Sequence, residues 1–272
     1  MSNTKHSREI QEKILNFYLD YPMDSYIPAW KVFRSFTNEN NLIADKIISS
    51  ESWELNSQRN ILDVGTGDGS VLKEILSRSA TPINFIRVVE PNLELLEEAE
   101  TNLNSLCLKS SIEFVNSDLI TLLNQNLFNI NTVILSHVLY LLPELDIEIF
   151  FDELPKEVRV YIITDDINSL FPNCWKITSP KYYQRTLNIH SKINSLKYSG
   201  FDIKKSNFQT FLQNPFLIER MDIQEKIMSM ICYSNFSNLN MKEIELVKLE
   251  MKKFEVEDLV YCNSVCYEII RY

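Results

Sequence analysis

Glycine is nearly missing from this chain: four occur in 272 residues, and three of them, Gly65, Gly67 and Gly69, fall within five positions. Histidine is rarer still, with His6, His137 and His190 far apart, and the cysteines Cys107, Cys174, Cys232, Cys262 and Cys266 include no Cys-x-x-Cys pair. Such spacing offers no metal-ligand set, and no Gly-x-Ser-x-Gly elbow or Gly-Lys-Ser/Thr phosphate loop is present, so neither a metal centre nor a serine hydrolase nor a P-loop enzyme is expected. No run approaches the roughly 20 apolar residues that cross a membrane, and residues 1–8 are polar. Basic residues number 27 against 37 acids, a formal charge of −10, which disfavours attraction to nucleic acid or an anionic membrane surface. The expectation is a cytoplasmic, unprocessed protein with reduced thiols, a monomer or homodimer, whose partner is neither nucleic acid nor a membrane.

What is present is concentrated. Asn60 to Val64 has the pattern of a buried strand, and Ser70 to Ser77 that of a helix with Val71, Leu72, Ile75 and Leu76 on one stripe. Between them lies Gly65-Thr-Gly-Asp-Gly69. A glycine loses more conformational entropy on ordering than any other residue, so three at one strand-to-helix turn point to backbone that must stay bare for a ligand.

The spacing departs from Gly-x-Gly-x-x-Gly, whose open helix N-terminus receives a pyrophosphate. The third glycine comes one residue early, and Asp63 and Asp68 flank the loop. Two carboxylates this close repel a pyrophosphate and suit a cation. S-adenosylmethionine carries both a sulfonium and an ammonium. A second strand, Ile83 to Glu90, ends in an acid 21 residues past Gly69, the distance at which a carboxylate meets the ribose hydroxyls in dinucleotide folds. Ser111 to Asp118 repeats the plan, placing Ser117 and Asp118 at the same edge, where either meets the adenine amine. Thr66 within the loop, Pro91 and Asn92 after the ribose acid, and Ser136 at the end of the fourth strand complete the expected cofactor set with Asp63, Gly65, Gly67 and Glu90.

The pattern elsewhere is strand and helix in alternation, with strands near 59–64, 83–90, 111–118, 132–137 and 159–165 and helices near 69–79, 92–104 and 144–154. Alternation of this kind predicts a doubly wound, mostly parallel α/β sheet with helices on both faces. After Asp166 a helix over His190 to Ser199 closes at Gly200, and strands near 204–212 and 261–270 form an antiparallel C-terminal hairpin, a seven-stranded Rossmann-like sheet in all. The roughly fifty residues between those strands are too many for a hairpin loop and hold two helical stretches, Asp222 to Cys232 and Met241 to Phe254. The division expected is a helical lid over 1–54, a core over 55–212, a helical cap inserted over 213–260 and a final core strand over 261–272, within one structural domain. The lid has helical stripes at Ile10, Ile14, Leu15 and Tyr18 and at Leu42, Ile43, Ile47 and Ile48, separated by an aromatic stretch broken by Pro22 and Pro28.

Through Asp63-Val-Gly-Thr-Gly-Asp-Gly69, Glu90 and Ser117-Asp118, residues 55 to 212 resemble the class I S-adenosylmethionine-dependent methyltransferases. A closer likeness is to the histamine N-methyltransferase family, carried by Val88-Val-Glu-Pro91, Ser136-His-Val-Leu-Tyr140, the aromatic stretch around Tyr26, and Tyr261-Cys-Asn-Ser-Val-Cys-Tyr267. The resemblance implies that Asp63 lies near the cofactor ammonium. It puts His137 and Asn263 on the acceptor, His137 where that family has a glutamine. Tyr26, Trp30 and Tyr140 wall the pocket, and His137 takes the proton of an amine. One departure stands out: Pro28 replaces the acid that follows the N-terminal tyrosine in the family, which argues against histamine itself. The function expected is transfer of the methyl of S-adenosylmethionine, leaving S-adenosylhomocysteine, to a small-molecule or short-peptide acceptor, first an amine nitrogen. The alternatives are the carboxylate of a small acid or peptide C-terminus, and a cofactor-binding or accessory protein without turnover.

Overall fold

The computed structural model describes residues 23–55, 58–123 and 129–272; the expected stripe of Ile10, Ile14, Leu15 and Tyr18, together with Pro22 and His6, lies outside them. In chain order the helices are α1 (Met23–Ser35), α2 (Glu39–Ile48), α3 (Glu51–Leu55), α4 (Ser70–Arg78), α5 (Leu93–Asn104), α6 (Leu119–Leu123), α7 (Glu144–Glu153), α8 (Leu170–Thr178), α9 (Pro180–Ser195), α10 (Met221–Cys232) and α11 (Met241–Lys252). The strands are β1 (Arg59–Val64), β2 (Ile83–Val89), β3 (Ser111–Val115), β4 (Thr132–Ser136), β5 (Arg159–Asp165), β6 (Phe201–Gln213), β7 (Glu255–Val256) and β8 (Leu259–Arg271).

They form one sheet in the order β3-β2-β1-β4-β5-β8-β6, with β7 beside β8. β1 to β5 run parallel, while β8 inserts antiparallel between β5 and β6. The strand order reverses between β1 and β4, and a crevice opens outside the carboxyl ends of strands at such a reversal.

Alternation along the parallel strands sorts side chains onto two faces. Ile61, Ile134 and Tyr161 meet Val71, Leu72 and Ile75 of α4 and Ile43 and Ile47 of α2 on one face. Leu62, Val133, Leu135 and Ile162 join the larger cluster on the other, which extends through Trp175 of α8 to Ile227, Met228 and Ile231 of α10. Both faces are covered, and the centres of β1, β4 and β5, Ile61–Leu62, Val133–Leu135 and Val160–Ile163, are apolar and buried.

Several expected boundaries move. β2 and β3 stop at Val89 and Val115, leaving Glu90, Ser117 and Asp118 on the connections just past the strands. α9 begins at Pro180, ten residues before the expected start at His190, because proline stands at its first position and Tyr182, Thr186, Ile189 and Ile193 make one buried stripe. The 3₁₀ turn Leu196–Ser199 that follows ends at Gly200, φ +84°. Pro28 does not break the aromatic stretch. It lies inside α1 with its side chain exposed, while Ile27 and Ala29 on either side are buried; packing of that face outweighs the one hydrogen bond proline cannot donate. α1 packs against α10, which brings an element before the parallel strands onto one that follows them.

All five cysteines are unbridged, Cys107 exposed and the other four buried. Cys262 and Cys266 are both buried, each packed into a different hydrophobic cluster. Among the described residues, no helix is long and apolar enough to cross a membrane.

Candidate active site

The turn after β1 is built from left-handed backbone. Gly65, Gly67 and Gly69 have φ of +67°, +60° and +74°, and Gly65 N–H and Thr66 N–H both donate to Val89 O, at 2.8 and 3.4 Å. A Cβ on Gly65 would lie 2.4 Å from Cγ2 of Val138, and one on Gly67 would lie 3.0 Å from the Trp30 ring. Gly65→Ala is therefore expected to cost about 2–3 kcal/mol, combining left-handed strain with overpacking. Thermal denaturation of Gly65→Ala, alone and with Val138→Ala, measures it: the second change recovers only the packing part, and an unaltered midpoint for the single variant refutes the close approach.

Glu90 is 5% exposed and turns back beneath this loop. Its Oε2 accepts from Gly67 N–H at 3.0 Å and its Oε1 from Asn92 N–H at 2.9 Å. Asn116 Nδ2 donates to the Glu90 and Pro91 carbonyls, fixing the connection. Burial pushes the Glu90 carboxyl up to about 7, against the pull of the two backbone N–H donors. Asp63, at the end of β1, accepts from the Thr66 hydroxyl at 2.6 Å and is raised to about 6, again by burial.

One cavity joins this corner to an aromatic chamber. Of the residues singled out in the sequence, Asp63, Gly65, Thr66, Gly67, Glu90, Asn92, Ser136, His137, Tyr26, Trp30 and Tyr140 line it. Pro91, Ser117, Asp118 and Asn263 do not. Asp118 instead caps α6, its Oδ1 accepting from Thr121 N–H at 2.7 Å, and the Ser117 hydroxyl donates to the Asp118 carbonyl. Asn263 lies within the β6–β8 ladder, where its Oδ1 accepts from Gln209 Nε2 at 3.3 Å. Strand alternation and the neighbouring Gln209 hold that side chain along the sheet, away from the place the family resemblance gives it.

His137 follows β4 with φ +52°, and its N–H donates to Ile163 O at 2.9 Å. Its Nε2 lies 3.1 Å from Glu39 Oε1 and its Nδ1 lies 3.6 Å from Asp165 Oδ2. Glu39 Oε2 in turn accepts from Arg34 at 2.8 Å, so charges alternate along Arg34, Glu39, His137 and Asp165. Burial by itself would depress the imidazole, but the two carboxylates outweigh it and push His137 up to about 10. Burial would likewise raise Glu39, yet His137 and Arg34 hold it at about 2. The two carboxylates thus favour the imidazolium form of His137, which has no lone pair with which to take a proton, and this counts against the part of base expected for it.

Tyr26, Tyr140 and Tyr233 stand around the chamber. Tyr233, at the end of α10 with φ +46°, stacks on Tyr182 with ring centroids 4.5 Å apart and meets Tyr140 edge-on at 6.1 Å. Burial raises the hydroxyl pKa of all four tyrosines, so they stay neutral. Sequence reasoning missed Arg34, Glu39, Asp165 and Tyr233. Asp165 carried a usable signal, an acid at the end of a core strand as Glu90 is just past its own; the other three come from helices or a helix end that only tertiary packing brings to the sheet edge.

No family model and no curated protein matches the sequence. Solved structures do match in fold. The chain is similar to BH2331, a candidate methyltransferase from Bacillus halodurans C-125, at 14% identity, with 86% of this chain and 99% of that one covered and a TM-score of 0.54. It is similar to the plantazolicin methyltransferase BamL, solved with a triazolic desmethylPZN analog and SAH, at 13% identity over 99% and 98% of the two chains with a TM-score of 0.53. YcgJ from Bacillus subtilis gives 8% identity, 86% and 98% coverage and a TM-score of 0.54. The shared property is the Rossmann-like methyltransferase fold.

Proposed function

We propose that this protein transfers the methyl group of S-adenosylmethionine to an amine nitrogen of a small-molecule acceptor. The observation that carries the reading is the Glu90 carboxylate, held beneath a glycine loop by two backbone N–H groups and opening into a cavity whose far end is aromatic and charged. Each Glu90 oxygen accepts one hydrogen bond from the backbone and keeps capacity for a ribose hydroxyl. Asp63 is suited to the ammonium of the same ligand, and the bare backbone at Gly65 and Gly67 lets it approach. The full-length fold match to a methyltransferase solved with SAH supports the same cofactor.

When bound, S-adenosylmethionine supplies a methyl already activated on a sulfonium. The chain's own task is to align the acceptor with that methyl and to exclude water. Tyr26, Tyr140, Tyr233, Phe33 and Phe171 line the cavity and supply apolar walls, and aromatic faces attract a cation by about 0.5–2 kcal/mol.

The charge balance favours an amine over a carboxylate. Asp63, Glu90, Glu39 and Asp165 line the cavity against Arg34 and His137, and both cations are already engaged by Glu39. An acceptor carboxylate would enter a chamber whose positive charges are spent. A screen with radiolabelled methyl donor over amines, phenols, carboxylic acids and peptides is expected to label amines. Label confined to acids or peptide C-termini would overturn the amine assignment. Tight S-adenosylhomocysteine binding with no transfer to any acceptor would favour a binding protein that keeps the fold without catalysis.

A further inference from the structure

Asp165 closes β5 and lines the cavity while only 2% exposed. Its Oδ2 faces the His137 imidazolium at 3.6 Å, but its Oδ1 has no hydrogen-bond partner among the described residues. An orphaned buried acceptor costs about 1–3 kcal/mol, and an arriving donor would relieve that cost. The other acids of the cavity are occupied: Glu39 by His137 and Arg34, Glu90 by the Gly67 and Asn92 amides, Asp63 by the Thr66 hydroxyl. The register also suits Asp165. Ser136 of β4 pairs with Ile163 of β5 while Asp165 pairs only with Ser264 of β8 on its other side, so Asp165 stands past the end of β4, beside His137.

We infer that Asp165 is a catalytic residue: its Oδ1 anchors the acceptor ammonium and then takes its proton, an assignment that rests on the methyl-transfer reading above. The proton passes from nitrogen to Oδ1. The lone pair so released forms the N–CH3 bond while the S–CH3 bond breaks, its electron pair remaining on sulfur. Asp165 returns its proton to water when product leaves. His137, unable to accept a proton, is a positioning residue that holds Oδ2, and Glu39 with Arg34 holds His137.

Asp63 and Glu90 of the same cavity are raised to about 6 and 7, so binding of an amine is read against that of an uncharged alcohol at each pH, which cancels their effect on the cofactor. Burial raises Asp165 itself, and it raises Tyr140, Tyr233 and Cys262 beyond neutral pH. His190, whose Nε2 meets the Asp165 carbonyl at 2.9 Å, is lowered by burial and so neutral at neutral pH. His137 stays charged and Glu39 ionised across the same range.

Calorimetry on the full chain saturated with S-adenosylhomocysteine tests this, with 2-phenylethylamine and the uncharged 2-phenylethanol as probes. The amine is expected to bind roughly tenfold more tightly than the alcohol, the size of one hydrogen bond to a charged group. Asp165→Asn should erase that preference and leave alcohol and S-adenosylhomocysteine affinities unchanged. In the unaltered protein, amine affinity relative to the alcohol should fall as acidification protonates Asp165, a measurement that stands even where the variant does not fold. Equal affinity for the two probes, a preference that survives Asp165→Asn, or an amine preference that strengthens on acidification overturns the assignment. Absent heat with S-adenosylhomocysteine overturns the cofactor reading beneath it and is seen before any amine is added.

Discussion

Glu90→Ala is expected to weaken S-adenosylhomocysteine binding by roughly a hundredfold or more, since hydrogen bonds to a charged group contribute about 1.5–3 kcal/mol each and the ribose offers two hydroxyls. The loss should appear in calorimetry without a matching loss of fold, because the cost of keeping this carboxylate ionised in a buried place disappears with it. The pH dependence separates the two effects. Glu90 is raised by burial from 4.5 to about 7 in the folded protein, so the ligand-free fold favours the protonated form. Its stability should therefore rise as pH falls from about 7 towards 4.5, and Glu90→Ala should lack that rise. Cofactor affinity should move the opposite way, weakening below about pH 7 as the carboxylate that accepts the ribose hydroxyls is lost. Equal affinity in Glu90→Ala and its parent would remove the ribose from this corner.

The second large effect concerns the chain of charges between α2 and the strand ends. Asparagine tolerates positive φ better than most residues, so His137→Asn removes the imidazolium with little added backbone strain. At neutral pH it should cost about 3–5 kcal/mol, the usual result of breaking a buried pair and leaving its partners uncompensated. His137 is raised from 6.5 to about 10, so its contribution is complete below 6.5 and is lost as pH rises through about 10. Glu39 is lowered from 4.5 to about 2, so its contribution is complete above 4.5 and is lost as pH falls through about 2. The gap in unfolding free energy between parent and His137→Asn should thus be widest between 4.5 and 6.5 and close towards 10. Urea titrations at several pH values measure it, and a gap that is absent, or that stays constant up to pH 10, would mean that the imidazolium is not held between the two carboxylates.

The corner proposed for the cofactor was legible because its parts are local. A strand, a glycine turn and a helix occupy residues 59–78, and the acid of the next strand follows at a spacing set by one crossover. The aromatic chamber was half legible. Tyr26, Trp30, His137 and Tyr140 line the cavity, whereas Asn263 does not, because a strand position specifies a face without specifying which neighbour will claim the side chain. Glu39 gave no signal at all. It is an acid in the first turn of a helix, where acids are common for reasons of the helix dipole.

By itself, the sequence determined the alternation of strands and helices, the sheet they build and the left-handed loop that only glycine fills, because each depends on periodicity or on one residue's backbone freedom. Tertiary structure alone decided the charge on His137 and the partners it keeps. Whether a histidine is a base or an imidazolium depends on which carboxylates lie within a few ångströms in a dry interior, and Glu39 and Asp165 come from a helix before the sheet and from its fifth strand.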